Sequence, residues 1–203
     1  MKRFSLLLLL ALVPVSLVAQ EQVPKVELGL SYENLQASHA NSLLGGLNFG
    51  RRASGVNFRA TININRWAAV ETTFGFQPDL NVETVGGAPA ISRGFGGAEF
   101  NVLHNEYKFK ATARQGDKDQ LGIFAFAGPG WVHADPNSVL EPLVGSFTKS
   151  TVEFGGGVEY YPHRKFGLRV EVSDLIARLG TITVTQPTTN NFVLRVGASF
   201  RFH

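Results

Sequence analysis

From Lys25 to His203 the chain repeats one pattern: apolar residues at alternate positions, with polar, charged or glycine residues between them. In Lys25–Asn34 the apolar face is Val26, Leu28, Leu30 and Tyr32, and Glu27, Gly29, Ser31 and Glu33 lie opposite. Gly55–Asn65 sets Val56, Phe58, Ala60, Ile62 and Ile64 against Asn57, Arg59, Thr61 and Asn63. Ala68–Gln77, Lys149–Tyr161, Phe166–Leu175 and Asn191–His203 alternate in the same way. Period two over such lengths predicts strands whose two faces meet different surroundings. Phe95–Phe109 is less regular, and a bulge near Val102-Leu103 would explain a parity slip. Leu121–Val132 is apolar on both parities, so its faces stay unassigned. Helical period is confined to one possible turn at Leu175–Leu179, and the 22 glycines disfavour helix.

Eight strands result, joined by links that alternate long and short: 35–54, 65–67, 78–94, 110–120, 133–148, 162–165 and 176–190. In an up-and-down meander, alternate links lie at opposite ends. Four long outer loops and three shorter turns, on an even number of strands, are the asymmetry of a transmembrane β-barrel with periplasmic turns. Strands of about 9–11 residues suit a tilted crossing of the hydrocarbon layer. The expected fold is all-β, an eight-stranded antiparallel up-and-down barrel. Its rival is a soluble lipocalin-like carrier, with apolar residues inside and charges outside.

The polar parity discriminates between them. It carries Glu27, Glu33, Arg59, Glu71, Glu153, Glu159, Arg169, Glu171, Arg195 and Arg201, six acids and four bases. A soluble exterior would be rich in lysine, yet only seven of the 19 cationic residues are lysine. Arginine forms fixed bidentate pairs with carboxylates and suits a confined polar interior. Pairing the first and last strands with Glu27 opposite Arg201 also sets Glu33 opposite Arg195. It places Leu28, Leu30 and Tyr32 beside Phe200, Ala198 and Val196. Glu159 and Arg169 can face each other across the short link at 162–165. An eight-stranded barrel is just wide enough for side chains to fill, so a Glu/Arg network is expected to plug the lumen. Leu28, Phe58, Phe74, Phe154, Val170 and Phe200 are expected to meet lipid, and Phe200→Arg near mid-depth to cost roughly 2–4 kcal/mol. Tyr32, Trp67, Tyr107, Trp131, Tyr160, Tyr161 and Phe202 lie near predicted strand ends, where aromatic girdles form.

Composition agrees with an exported chain. Met1-Lys2-Arg3, the apolar run Leu6–Val13 and the small residue Ala19 make a secretory signal, with 1–19 removed and 20–203 forming one barrel domain. There is no cysteine, which excludes disulfides and thiolate chemistry. Without Lys2 and Arg3 the 19 cations fall to 17 against 16 acids, so nucleic acid is not an expected partner.

The signal, the glycine-rich alternating strands, the turn Asn65-Arg66-Trp67 before Ala69-Val70-Glu71, the strand Gly155-Gly156-Gly157-Val158-Glu159-Tyr160 before Gly167-Leu168-Arg169-Val170-Glu171, and the aromatic last strand together resemble the OmpA-like outer-membrane β-barrel family. The likeness implies a monomer in the outer membrane of a Gram-negative-type bacterium, amid its lipids and lipopolysaccharide. It also implies that Phe200 and Phe202 are read by the barrel-assembly machinery during insertion. Here Phe202 is penultimate and His203 last. Many members add a peptidoglycan-binding domain; this stretch ends on the last strand, so that role is not expected.

Dinucleotide, P-loop, zinc-protease and serine-hydrolase motifs do not occur. Gly155-Gly156-Gly157 reads as close strand packing. His39, His104, His133, His163 and His203 have no metal-ligand spacing and read as isolated surface or rim residues, and no cofactor is expected. His39, Ser42 and Glu33 are the residue types of a lipid A deacylase, but without its pattern. The favoured reading is a non-enzymatic barrel acting through its outer loops. The alternatives are a narrow solute channel and a lipid-modifying enzyme.

Overall fold

A computed structural model describes residues 25–37, 47–49, 52–85, 88–89, 99–115, 120–136, 145–177 and 189–202. The signal expected at 1–19 lies outside them, as do His39, Ser42 and the part of the possible helical turn at 178–179; Leu175 and Ile176 belong to a strand. Among the described residues there is no helix.

Ten strands form: β1 (Val26–Ala37), β2 (Leu47–Phe49), β3 (Arg52–Asn63), β4 (Ala68–Val85), β5 (Ala88–Pro89), β6 (Glu99–Gln115), β7 (Leu121–Pro136), β8 (Phe147–Tyr160), β9 (Phe166–Ala177) and β10 (Thr189–Phe202). β2 and β5 are short additions to β4. The other eight pair antiparallel in the order β1-β3-β4-β6-β7-β8-β9-β10, and β10 pairs back onto β1. Closure leaves the wall no free edge, so its backbone groups are satisfied within the sheet, the condition for a β structure in hydrocarbon.

The register measures the barrel. Stepping from Val26 partner to partner through Ile62, Val70, Phe109, Ala127, Phe154, Asp174 and Phe192 returns to β1 at Gln36, ten residues higher. Ten residues of ~3.3 Å rise over eight spacings of ~4.8 Å tilt the strands by about 41°. This outward-facing row starts on apolar residues and ends on Asp174 and Gln36, so it climbs out of the apolar band at the long-link end.

The seam between β1 and β10 has the expected register: Glu27 faces Arg201, Glu33 faces Arg195, and Leu28 faces Phe200. Glu159 faces Arg169 between β8 and β9. The irregularity expected on β6 lies instead on its neighbour β4. There three steps from Gln77 to Leu80 match two on β6, from Val102 to Phe100. Pro78 sits in this bulge, where a residue without an N–H is tolerated. β6 itself keeps one parity from Val102 to Thr112.

The faces divide by polarity. Leu28, Leu30, Phe58, Ile62, Phe74, Phe154, Val170 and Phe200 are exposed on the outer wall. The buried interior is dominated by charged and polar groups. Leu121–Val132, undecided from sequence, turns Phe124 and Phe126 inward and Ile123 outward. A small apolar cluster of Leu35, Leu175 and Val193 lies inside, toward the long-link end.

Candidate functional site

The interior charges are the most distinctive chemical feature of the described residues. All ten residues singled out on the polar parity, Glu27, Glu33, Arg59, Glu71, Glu153, Glu159, Arg169, Glu171, Arg195 and Arg201, are buried inside the wall. Each comes from an alternating strand, so the wall's apolar exterior and its charged lumen are one pattern.

Near the short-turn end, Arg201 Nε donates to Glu27 at 3.1 Å and Lys110 Nζ to Glu159 at 2.6 Å. Arg114 lies between these carboxylates, 3.6 Å from Glu27 and 3.4 Å from Glu159. In the middle, Arg169 holds Glu71 through two nitrogens, at 2.7 and 3.1 Å, and Glu171 at 2.5 Å. Arg59 approaches Glu71 at 3.7 Å. Farther toward the long links, Arg195 gathers three carboxylates: Glu33 and Glu153 in short ion pairs, and Glu171 at 2.7 Å. Lys108 adds a contact to Glu153 at 2.8 Å.

The sequence reading missed five of these fifteen charged residues, all of them on β6. His104, Glu106, Lys108 and Lys110 are fully buried on the inner face of β6, and the Arg114 side chain is buried with them. His104 is therefore not a surface or rim residue. Its Nε2 meets Glu33 at 2.7 Å and its Nδ1 meets Glu106 at 2.6 Å, a geometry that uses a proton on each nitrogen. Tyr161 also departs from expectation. It turns into the lumen rather than joining a girdle, with Arg201 stacked 3.0 Å over its ring and its hydroxyl donating to Glu27 at 2.8 Å. Tyr107 is exposed but lies mid-strand, so it is not a girdle residue either. Trp67, Tyr160, Phe166 and Phe202 are exposed at the short-turn end, with Phe200 beside Phe166.

Among the described residues, seven carboxylates (Glu27, Glu33, Glu71, Glu106, Glu153, Glu159, Glu171) face seven permanent cations (Arg59, Lys108, Lys110, Arg114, Arg169, Arg195, Arg201), with His104 in addition. With a proton on each nitrogen His104 is an eighth cation, and each of the seven carboxylates has a cation beside it; a low-dielectric interior demands such pairing, because an unpaired buried charge costs several kcal/mol. Phe124 contacts both the short-turn group and the middle group, with Arg169 at 3.9 Å and Lys110 at 4.8 Å over its ring. The negative face of an aromatic ring attracts cations, so Phe124 favours both.

Room for these large groups comes from glycine on the neighbouring strand. A Cβ on Gly29 would stand 2.6 Å from the guanidinium of its partner Arg59. One on Gly75 would stand 1.8 Å from Nε2 of its partner His104. In Gly155-Gly156-Gly157, added Cβ atoms would strike backbone carbonyls at 2.1–2.6 Å, which is close strand packing.

The network holds charges but gathers no metal-binding group: among the described residues no three His, Cys, Asp or Glu side chains are placed for one. Glu33 and Glu106 sit on opposite nitrogens of His104 and do not converge on a common point. Outside the wall, near the long links, His133 contacts Thr148 Oγ1 at 2.7 Å and Asp135 at 3.2 Å.

Comparison with known proteins places this architecture. Neisserial surface protein A superposes with a TM-score of 0.59 at 14% identity, covering 88% of this chain and 97% of that one. Ail, the attachment invasion locus protein of Yersinia pestis, gives 0.56 at 14% identity over 87% and 97%. OprG from Pseudomonas aeruginosa gives 0.55 at 11% identity over 92% and 100%. At these identities the likeness is one of fold. No curated protein matches the chain. The family described as "Outer membrane protein beta-barrel domain" matches residues 5–202. A closed eight-stranded wall with an apolar exterior, a charged interior and this family match make the chain a member of the outer-membrane protein β-barrel domain family.

Proposed function

We propose that this protein is a closed, non-enzymatic mount in the outer membrane, which holds its four long outer links at the cell surface to meet ligands or other envelope components. The observation that carries this reading is the closely paired ion network inside the wall. Side chains from all eight barrel strands enter the lumen, and Arg195 ties β10 to β1, β8 and β9 at once. A solute path would need these pairs to separate, leaving buried charges unpaired. The test is conductance of the pure protein in planar bilayers. The reading expects no steady single-channel current, and a stable ohmic channel at neutral pH would replace it with the narrow-channel alternative.

The mature protein is proposed to begin at Gln20, after removal of 1–19; intact mass of the membrane-extracted protein checks this. It is proposed to stand as a monomer among outer-membrane lipids and lipopolysaccharide, which size measurement in detergent tests for oligomeric state.

One observation favours a second reading, acyl transfer on lipid. Asp135, His133 and Thr148 form an outward-facing row with the acid, base and hydroxyl types of a nucleophilic relay. It ranks second because His133 and Thr148 are register partners inside the β7–β8 ladder, where neighbouring backbone N–H groups are engaged in pairing and so are not free to stabilise an oxyanion. Glu33, the acid considered from sequence, is held by Arg195, His104 and Gln77 inside the barrel. Lipid A mass spectra from cells with wild-type protein, Thr148→Ala or neither decide between them. Identical spectra support the mount, and a wild-type-dependent loss of an acyl chain supports the enzyme.

A further inference from the structure

Among the described residues, the short-turn rim carries a group of cations immediately beyond an aromatic collar. Trp67, Tyr160, Phe166 and Phe202 are exposed on the outer wall at that end. Aromatic residues of this kind mark the boundary between hydrocarbon and headgroups. Past them stand Lys25, Arg164 and Lys165, all exposed, and the half-buried Arg66. Among the described residues, no acid is exposed at this end. The outward acids, Asp135 and Asp174, lie toward the long links.

The cations are held by ordered turns. In the β3–β4 turn the Asn65 side chain accepts from the N–H of Trp67 and of Ala68, each at 2.8 Å. The Arg66 guanidinium is 4.8 Å from the centre of the Trp67 ring. In the β8–β9 turn the Lys165 carbonyl accepts from Arg201 N–H at 2.8 Å, which fixes that turn beside the end of β10. Lys25 is fixed on the other side of the seam, its carbonyl accepting from Asn63 N–H at 3.0 Å. Lys25, just before β1, and Lys165, in the β8–β9 turn, thus flank the closing strands, and a third cation, Arg66, lies over the outward-facing indole of Trp67.

We propose that this rim is a binding collar for anionic phospholipid in the periplasmic leaflet, with Lys25, Arg66, Arg164 and Lys165 meeting headgroup phosphates while the aromatic collar meets the acyl chains. The depth assigns the partner. Cations one turn beyond a membrane-boundary aromatic reach the phosphate plane by extending their stems, and each basic residue near an anionic surface contributes about fivefold to binding. Acidic cell-wall polymer is the competing occupant, but it would not need the cations to follow the aromatic boundary.

The test uses the full chain in nanodiscs of equal phosphatidylcholine and phosphatidylglycerol, released for native mass spectrometry. Wild type is expected to retain phosphatidylglycerol over phosphatidylcholine. Replacing the four cations together by Gln is expected to reduce that preference by roughly 600-fold, fivefold for each, and the charge-keeping variant (Lys25→Arg, Arg66→Lys, Arg164→Lys, Lys165→Arg) to restore it. Heat-modifiable gel mobility confirms that each variant is a folded barrel, because none of the four belongs to the lumen network. Equal retention of both lipids by wild type overturns the proposal, as does a folded Gln variant with its preference intact. Sedimentation with purified peptidoglycan sacculi, lost in the Gln variant while lipid retention shows no headgroup preference, assigns the rim to the cell wall and also overturns it.

Discussion

Glu33 on β1 and Arg195 on β10 face each other across the seam that closes the barrel, and their side chains are ion-paired inside it. Arg195 also reaches Glu153 and Glu171, so one guanidinium bridges carboxylates from three strands. A buried network of this kind adds little net stability over an apolar filling, but removing one member strands the others. Arg195→Leu is therefore expected to destabilise the barrel by about 3–5 kcal/mol. Adding Glu33→Leu to it should recover part of that loss. Reversible urea unfolding in lipid vesicles measures both; a double variant with the full additive loss would show that the two residues do not act as a pair.

Depth in the membrane gives a second prediction. Phe58 lies in the middle of β3, beside Leu30 and Phe74. Phe200 lies two residues from the end of β10, beside the boundary aromatic Phe166. Phe200 is thus not the mid-depth site expected from sequence. An arginine on the lipid face costs about 2–4 kcal/mol at the midplane and 0–1 near an interface. Phe58→Arg is expected to fall in the first range and Phe200→Arg in the second. Equal costs in vesicle unfolding would contradict the tilt and register of the barrel.

The strands with strict alternation were legible because apolar and charged residues stayed on separate parities; Glu27, Glu33, Arg195 and Arg201 could even be paired by number. β6 was not legible for a physical reason. Val102 points inward while Asn101 is exposed and Asn105 half-buried on the outer face, so its apolar residues do not mark one face. The signal was in the even positions, where His104, Glu106, Lys108, Lys110 and Thr112 are all polar. Preferring arginine to lysine as the lumen cation also hid Lys108 and Lys110, whose ammonium groups rest on inward aromatic rings. Those rings, Phe126 and Phe124, made β7 unreadable alone: an apolar residue in the lumen makes sense only beside the cations on other strands.

The partnership of Gly75 and His104 yields a third prediction. A Cβ at Gly75 would occupy the space of the imidazole. Gly75→Ala must push His104 away from Glu33 and Glu106, and overpacking of this kind costs about 1–3 kcal/mol. If the clash with the imidazole is the cause, Gly75→Ala should cost less in a His104→Ala background than in wild type. Gly145→Ala, where an added Cβ meets nothing within 4 Å, serves as the neutral control. Vesicle unfolding of the single and double variants checks the coupling.

The end of β10 separates folding from assembly. Phe202 is exposed, stands edge-on to Phe200 with ring centres 5.0 Å apart, and faces Val26 across the seam. It belongs to the outer face, so Phe202→Ser leaves the ion pairs of Arg201 in place. Unaided refolding of the variant into vesicles should therefore reach the wild-type yield. If Phe200 and Phe202 also form the signal read by the barrel-assembly machinery, as proposed from the family likeness, the same variant should accumulate in the outer membrane of cells severalfold less than wild type. Normal amounts in cells would remove the assembly role. A refolding defect in vesicles would instead make Phe202 a packing residue.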